Sequence, residues 1–167
     1  MLLHNAPRSV YAAYHRGNYL DLTNKPKQVA KRLAGHFVRL GAYGDPAAVP
    51  TKVWRNVTSA SAGFTGYTHQ WKAQRFAYLA RYCMASADTA AEQLLAVAQG
   101  WRTFRVKTSG ADLLPLESAC PASAEAGRKL TCSQCRACSG SSRGLKGSIA
   151  IDAHGNGSGN FERLTAT

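Results

Sequence analysis

The sequence predicts an α/β protein, built as a partial (β/α) barrel or an open parallel sheet with two N-terminal helices and a metal-binding loop insertion. First, short apolar runs alternate with helical stretches between residues 37 and 107, a pattern typical of parallel strands joined by helices. Second, the count of about five predicted strands is too small for a complete eight-stranded barrel. Because 167 residues suffice for one hydrophobic core, we expect residues 1–167 to form a single domain.

The N-terminal segment, residues 1–36, is predicted to be helical. A first helix begins near Pro7, and a second covers residues 26–34 and ends at Gly35, because Pro favours a first helical turn and Gly the position after the last one. The second helix carries four basic residues, mostly away from its apolar positions: Lys25, Lys27, Lys31 and Arg32. Such a basic side is typical either of a solvated face or of a surface that contacts a partner.

Residues 37–107 are predicted to hold the βα repeats. Strands are expected over residues 37–43, 63–68 and 101–106, and a further apolar run covers residues 80–85. These runs are short and rich in aromatic and aliphatic residues, as buried strands are. The sequence therefore predicts four strands before the cysteine-rich part of the chain.

Two helices are expected to connect these strands. One covers residues 45–57 and contains Pro in its first turn. The other follows Thr89, which forms a capping box with Glu92, and ends at Gly100. Three regions complete the chain: a cysteine and metal loop over 108–147, a last strand over 148–154 and a flexible, glycine-rich tail over 155–167.

Four cysteines predict a metal centre. Cys132, Cys135 and Cys138 are spaced by three residues, and Cys120 precedes them. Thiols at this spacing can converge on one ion from a turn, and a fourth thiol from a nearby loop completes the tetrahedron. Disulfides are the rival interpretation, but they are rare in the intracellular setting expected here.

The spacing leaves two cofactors open. A run of three thiols with one remote cysteine is closer to the spacing of iron–sulfur proteins, so a 4Fe-4S iron–sulfur cluster is favoured. Zinc is the alternative, although zinc sites more often show two separated Cys-x-x-Cys pairs or a mixture of Cys and His. Cys83 lies in an apolar run, where a buried and inert thiol is typical, so we place it outside the ligand set.

Polar residues after the predicted strands supply the candidate catalytic groups, because the carboxyl ends of parallel strands meet at one rim. His69 follows the second strand, and its imidazole can transfer a proton near neutral pH. A structural, hydrogen-bonded histidine is the alternative. Asp45 follows the first strand, where it can also act as a helix cap. Ser86, Asp88 and Lys107 are expected at the same rim.

The composition is strongly basic. The 21 Lys and Arg against 9 Asp and Glu give a formal net charge of +12, which attracts phosphate backbones and other polyanions. Aromatic residues available for stacking on bases are Tyr11, Tyr14, Trp54, Trp71 and Trp101. The candidate residues for binding nucleic acid or a partner are Lys25, Lys27, Lys31, Arg32, Arg105 and Lys107.

No apolar run approaches the roughly 18 residues of a membrane span, and the start of the chain lacks the pattern of a signal peptide. We therefore expect a protein of the cytoplasm that does not bind membranes. The oligomeric state is not predicted.

Five segments resemble a family of phage and prophage proteins of unassigned function. They are residues 39–50, 66–71, 100–105 and 120–127, with the Cys132-x-x-Cys135-x-x-Cys138 run. The resemblance extends over most of the chain, although family members are longer at the N-terminus and carry a further cysteine group there. The family is distantly similar to phage proteins with a radical-SAM-like barrel. The resemblance implies an N-terminally shortened relative with a barrel-like scaffold.

Three functions are consistent with these residues. Charge and aromatic content favour a phage-derived, metal-containing accessory protein that binds nucleic acid or a host nucleoprotein, including a host-defence inhibitor such as an anti-CRISPR protein. The resemblance implies an alternative, an iron–sulfur enzyme with radical-type or nucleotide-modifying chemistry. A structural zinc-binding protein is the third reading of the cysteines.

Overall fold

Six parallel strands form an open sheet in this protein. The computed structural model describes residues 6–123, 126–127, 130–141, 147–154 and 158–165. The strands are β1 Phe37–Leu40, β2 Gly63–Thr68, β3 Met84–Ala87, β4 Thr103–Lys107, β5 Glu117–Ala119 and β6 Ser148–Asp152. Their order across the sheet is β1-β2-β3-β4-β6-β5, and every neighbouring pair is parallel. The predicted open parallel α/β sheet is confirmed, with β1 and β5 as its edges.

The helices of the described residues lie where the sequence patterns place them, with two additions. They are α1 Ala6–His15, α2 Pro26–Leu33, α3 Thr51–Ala60, α4 Ala90–Ala98, α5 Cys132–Cys135 and α6 Ser158–Thr165. Short 3-10 helices cover Pro46–Ala48, Gln70–Lys72 and Gln74–Arg81. Helix α2 packs against α3, and α4 packs against β3 and β4. Within the part of the chain that the structure describes, no helix is long and apolar enough to cross a membrane.

One face of the sheet packs against helices. Because side chains alternate along a strand, Leu40, Phe64 and Ala85 point to the same side. There they form a core with Trp54 of α3 and Ala96 of α4, and with the buried Trp71, Leu79, Tyr82, Cys83 and Trp101. Gly66 allows the close packing, since a Cβ there would lie 2.8 Å from the Cys83 sulfur.

The opposite face of the sheet, which we call the cleft face, packs against the cysteine-containing part of the chain. Met84 and Ile149 form a second core with Cys120 and Cys138. Half-buried aromatic and aliphatic side chains extend this core: Tyr67, Phe104, Ala122, Ala137 and Ile151. The cysteine segment, by which we mean the described residues 120–123, 126–127 and 130–141, therefore covers the side of the sheet that the helices leave open.

The structure differs from the prediction for the apolar run 80–85, the helix 45–57 and the region 108–147. Only residues 84–85 of that run belong to β3, since Gln74–Arg81 form a 3-10 helix. The helix expected over residues 45–57 is divided, because Pro50 lacks an N–H and keeps Val49 extended, with ψ of 133°. The region 108–147 contains the unpredicted strand β5. Its Glu-Ser-Ala sequence has no strand-like alternation, and it forms because its backbone pairs with β6.

The flexible tail predicted over residues 155–167 is wrong for residues 158–165, which form α6. The high glycine content suggested a coil, yet Phe161 is half-buried and lines the cavity on the cleft face. Packing of this aromatic side chain favours the helix. The remaining residues of the predicted tail lie outside the described residues.

Candidate functional site

A cavity of about 660 Å³ lies on the cleft face of the sheet. Its floor consists of side chains from successive strands: Arg39, Thr65, Tyr67, Ser86, Phe104, Val106 and Ile151. Its roof is the cysteine segment, and Phe161 of α6 closes part of the side. A concave, largely apolar cavity with a few polar groups at the carboxyl ends of parallel strands is the usual form of a ligand site.

All four cysteines of the predicted metal centre line this cavity, but they do not form a metal centre. Cys132 and Cys135 lie on the single turn of α5, whereas Cys120 and Cys138 lie buried in loops. Among the described residues, no three His, Cys, Asp or Glu side chains are arranged to hold a metal ion. The predicted iron–sulfur cluster and the alternative zinc ion are therefore both wrong as cofactors.

The physical reason lies in the local structure of the thiols. Cys132 is exposed, Cys135 is half-buried, and the other two are largely shielded from solvent, with exposures of 8 % for Cys120 and 7 % for Cys138. The capping box of Thr131 and Gln134 holds the Cys132–Cys135 turn as a helix. Spacing alone predicted that three or more thiols converge on an ion, and the described residues show no such arrangement.

Tyr67 and Cys138 form a polar contact inside the cavity. The Tyr67 hydroxyl hydrogen-bonds the Cys138 sulfur, and the Tyr67 ring packs on Phe104 with ring centroids 4.6 Å apart. Burial raises the pKa of Cys138 to about 11, and burial also raises the pKa of the Tyr67 hydroxyl. Both groups are therefore neutral at physiological pH.

Arg102 anchors the cysteine segment from beneath. Its guanidinium is buried and donates to three backbone carbonyl oxygens: Nη1 to Gly140 at 2.7 Å, Nη2 to Ala137 at 2.9 Å and to Gly147 at 2.7 Å. The Arg102 backbone N–H also donates to the Ser141 hydroxyl, at 2.9 Å. Burial lowers the pKa of this guanidinium. The arginine thus replaces regular secondary structure as the support of this loop.

The backbone of the same loop passes close to the sheet. The Gly66 N–H donates to the Cys138 carbonyl at 3.3 Å, and the Ser141 N–H donates to the Ala80 carbonyl at 2.7 Å. Gly140 has φ of +83°, and a Cβ at this position would lie 2.6 Å from the Arg81 carbonyl oxygen. Only glycine fits here without displacing the backbone.

The two predicted catalytic residues lie at the polar mouth of the cavity. The Asp45 carboxylate accepts hydrogen bonds from the Ala47 N–H, the Thr68 hydroxyl and the His69 N–H, at 2.8, 2.8 and 2.9 Å. Asp45 therefore caps the 3-10 helix and ties the end of β1 to the end of β2. The His69 Nε2 lies 3.7 Å from an Asp88 carboxylate oxygen, and both side chains are at least half exposed. Catalysis by Asp45 or His69 is still a prediction.

Two of the predicted binding residues are engaged elsewhere. Arg105 is 6 % exposed and forms a bidentate ion pair with Glu117, through Nε–Oε1 at 2.9 Å and Nη2–Oε2 at 2.7 Å. Lys107 is largely buried and pairs with Asp152. Neither residue presents its charge on the basic surface, so their prediction as partner contacts is not supported by their positions.

The other four predicted binding residues, on and beside α2, are exposed. The predicted stacking residues divide in the same way: the three tryptophans are buried, with exposures of 1 to 9 %, and so cannot stack on a partner. Tyr11 and Tyr14 are 65 % and 67 % exposed, and the nearby Tyr19 is 53 % exposed. Exposed bases and aromatics therefore coincide in the N-terminal helical part of the chain.

Sequence reasoning missed several residues that line the cavity or support its roof. Arg102 is one of 21 Lys and Arg, and nothing in its neighbourhood distinguishes it. Tyr67 and Phe104 alternate along their strands with residues of the helix-side core. Apolar residues at successive positions of a strand indicate a sheet covered on both faces, so this pattern could have found them.

Comparisons of the chain with protein-family models, with curated proteins and with solved structures find no match.

Proposed function

We propose that this protein binds nucleic acid through its basic N-terminal segment, residues 6–36. The observation that supports the proposal is that this segment carries six exposed Lys and Arg against one Asp, with three exposed tyrosines among them in the sequence. The six are Arg8, Arg16, Lys25, Lys27, Lys31 and Arg32. Positive side chains that follow a phosphate backbone, with aromatic rings for stacking, are the two components of sequence-tolerant single-strand binding.

The local structure leaves these charges available. Among the described residues, no carboxylate lies within ion-pair distance of the six bases. Helix α2 buries none of its residues, so its side chains face solvent over most of the helix. Helix α3, which packs against α2, adds the exposed Lys52 and Arg55. A neighbouring pair of helices therefore supplies several phosphate contacts at once.

The same surface suits the accessory role that the charge and aromatic content of the sequence favour. A protein that engages the nucleic acid of a host nucleoprotein uses the phosphate contacts described above, with no need for a catalytic centre. Host-defence inhibition is one such role. In this proposal the nucleic acid is the primary partner.

The test is a titration of a fluorescently labelled single-stranded oligonucleotide, with anisotropy measured over a range of salt concentrations. We expect binding whose affinity falls steeply with salt, because bound phosphates release counterions. The variant K27Q/K31Q removes two charges one turn apart on α2 while keeping a similar helix propensity. The slope of log affinity against log salt should decrease by about 1.4, at about 0.7 for each lost contact on a single strand.

The matched control is R75Q/R163Q, which removes two exposed arginines from other parts of the chain. It should keep the slope of the original protein. Equal slopes for both double variants, or the absence of oligonucleotide binding at low salt, would contradict the proposal. The same titration with a duplex of this sequence compares the affinities for double-stranded and single-stranded nucleic acid. We expect the single strand to bind more tightly, since tyrosines can stack on its bases.

A further inference from the structure

We propose that Cys132 and Cys135 form a redox-active dithiol that reacts with small-molecule disulfides at the mouth of the cavity. This site is independent of the basic N-terminal segment. The two thiols differ in exposure, since Cys132 is exposed and Cys135 is half-buried. An exposed attacking thiol with a shielded neighbour is the arrangement by which dithiol proteins exchange disulfides.

The backbone places the two sulfurs within reach of each other. Both residues belong to the single turn of α5, where the Cys135 N–H donates to the Thr131 carbonyl and the Arg136 N–H to the Cys132 carbonyl, each at 2.9 Å. Residues three apart in a helix have Cα atoms about 5 Å apart. This lies inside the range of about 4.4 to 6.8 Å found in disulfides, so rotation of the side chains can close the bond.

The neighbouring thiols are poorer partners. Cys138 is buried, hydrogen-bonded to the Tyr67 hydroxyl and held through its carbonyl by the Gly66 N–H. Cys120 is also buried, and its N–H donates to the Ala150 carbonyl at 2.8 Å. Cys83 lies in the helix-side core, on the other face of the sheet. The three buried thiols of the same chain are therefore internal controls for the reactivity of Cys132 and Cys135 toward disulfides.

The exchange proceeds in two steps. The Cys132 thiolate attacks one sulfur of a disulfide RS–SR, forming a Cys132–SR mixed disulfide and releasing RS⁻. The Cys135 thiolate then attacks the Cys132 sulfur, forming the Cys132–Cys135 disulfide and releasing the second RS⁻. The protein loses two electrons and two protons, and RS–SR is reduced to two RSH molecules.

The experiment equilibrates fully reduced protein with glutathione buffers of increasing oxidised fraction, in the presence of a chelator. Free thiols are then alkylated and mapped by mass spectrometry of peptides. We expect two of the five thiols to become resistant to alkylation together, and the linked pair to be Cys132 and Cys135. Prior oxidation should be reversed fully by reduced glutathione.

Three variants identify the roles. Cys135→Ser should stop at a glutathione adduct on Cys132, and Cys132→Ser should leave Cys135 available to alkylation. Cys83→Ser is the control and should retain the exchange. In the protein with all five cysteines, pairing of Cys135 with Cys138 or a stable glutathione adduct on Cys132 would overturn the proposal. Because both outcomes are measured without any substitution, a variant that fails to fold does not affect the decision.

Discussion

Arg102 shows how one side chain can organise a whole surface. Its four guanidinium hydrogen bonds reach the carbonyl oxygens of Ala137 and Gly140 in the cysteine segment and of Gly147, the residue before β6. A buried charged donor satisfies carbonyls that lie outside any helix or strand. Removal of the guanidinium leaves these acceptors without partners in a site that excludes water.

We expect Arg102→Met to lower the free energy of unfolding by about 3 kcal/mol or more, since several buried carbonyl groups lose a charged donor. Arg102→Lys should have a free energy of unfolding between those of the original protein and Arg102→Met, because an ammonium group keeps the charge but not the planar fork. Urea-induced unfolding measures both. Arg75→Met removes an exposed arginine and should change the free energy by less than about 0.5 kcal/mol. A loss below about 1 kcal/mol for Arg102→Met would show that water replaces the guanidinium.

At this scale the sequence predicted residue types better than residue roles. The four thiols line one cavity, but their spacing predicted a metal centre and did not predict that two of them lie on a helical turn. Arg105 was assigned to a surface, although its partner Glu117 is twelve residues away and only the fold shows their contact. Contacts between distant residues depend on topology, which local patterns do not contain.

Among the elements, β5 combines backbone pairing to β6 with a side-chain contact to β4. It has three residues, and Arg105 of β4 reaches past β6 to hold its first residue, Glu117. The Glu117 carboxylate also accepts the Leu114 N–H at 2.9 Å, so the ion pair fixes the loop that leads into the strand. Since both charged side chains are almost fully buried, loss of either leaves the other uncompensated.

We expect Arg105→Met and Glu117→Gln each to lower the free energy of unfolding by about 3 to 5 kcal/mol. The double variant should lose less than the two single losses together, since no unpaired charge is left buried. The comparison pair is Lys72 and Glu92, whose side chains are 53 % and 25 % exposed, and whose coupling should be below about 1 kcal/mol. A double-mutant cycle for each ion pair, measured by urea unfolding, gives the two coupling energies. Similar coupling energies for both pairs would argue against burial as the source of the stability.

The elements of the βα repeats were the part of the fold most open to prediction. Strand β2 has the bounds that its apolar run predicts, and Thr89 caps α4 by accepting the Glu92 N–H at 3.1 Å, as the capping box predicts. The missed elements, β5 and α6, have weak local patterns and form through contacts with β6 and with the cavity. Short elements of this kind acquire their stability from tertiary packing.

On the scale of the whole molecule, charge opposes compactness. The net charge of +12 is carried mostly by exposed side chains, while two buried arginines, Arg102 and Arg105, are compensated by carbonyls and by Glu117. Repulsion among the exposed charges destabilises the folded state, and dissolved salt screens it. The same repulsion would be relieved by a bound polyanion.

We expect the melting temperature to rise between about 0.01 M and 0.15 M salt, where the Debye length falls from about 30 to 8 Å. The K27Q/K31Q variant removes two of the positive charges and should show a smaller rise. Differential scanning calorimetry of both proteins provides the measurement. A melting temperature that falls with salt would indicate that attractive ion pairs outweigh the repulsion.

The order of strands in the sheet also limits the order in which the strands can pair during synthesis. Strand β6 is the last strand in the chain but lies between β4 and β5. During synthesis, β1 to β4 can assemble in the order in which they leave the ribosome, whereas β5 has no neighbour to pair with until residues 148–152 emerge. The cavity, with β6 in its floor and the cysteine segment as its roof, is therefore completed only after residues 148–152 have been synthesised.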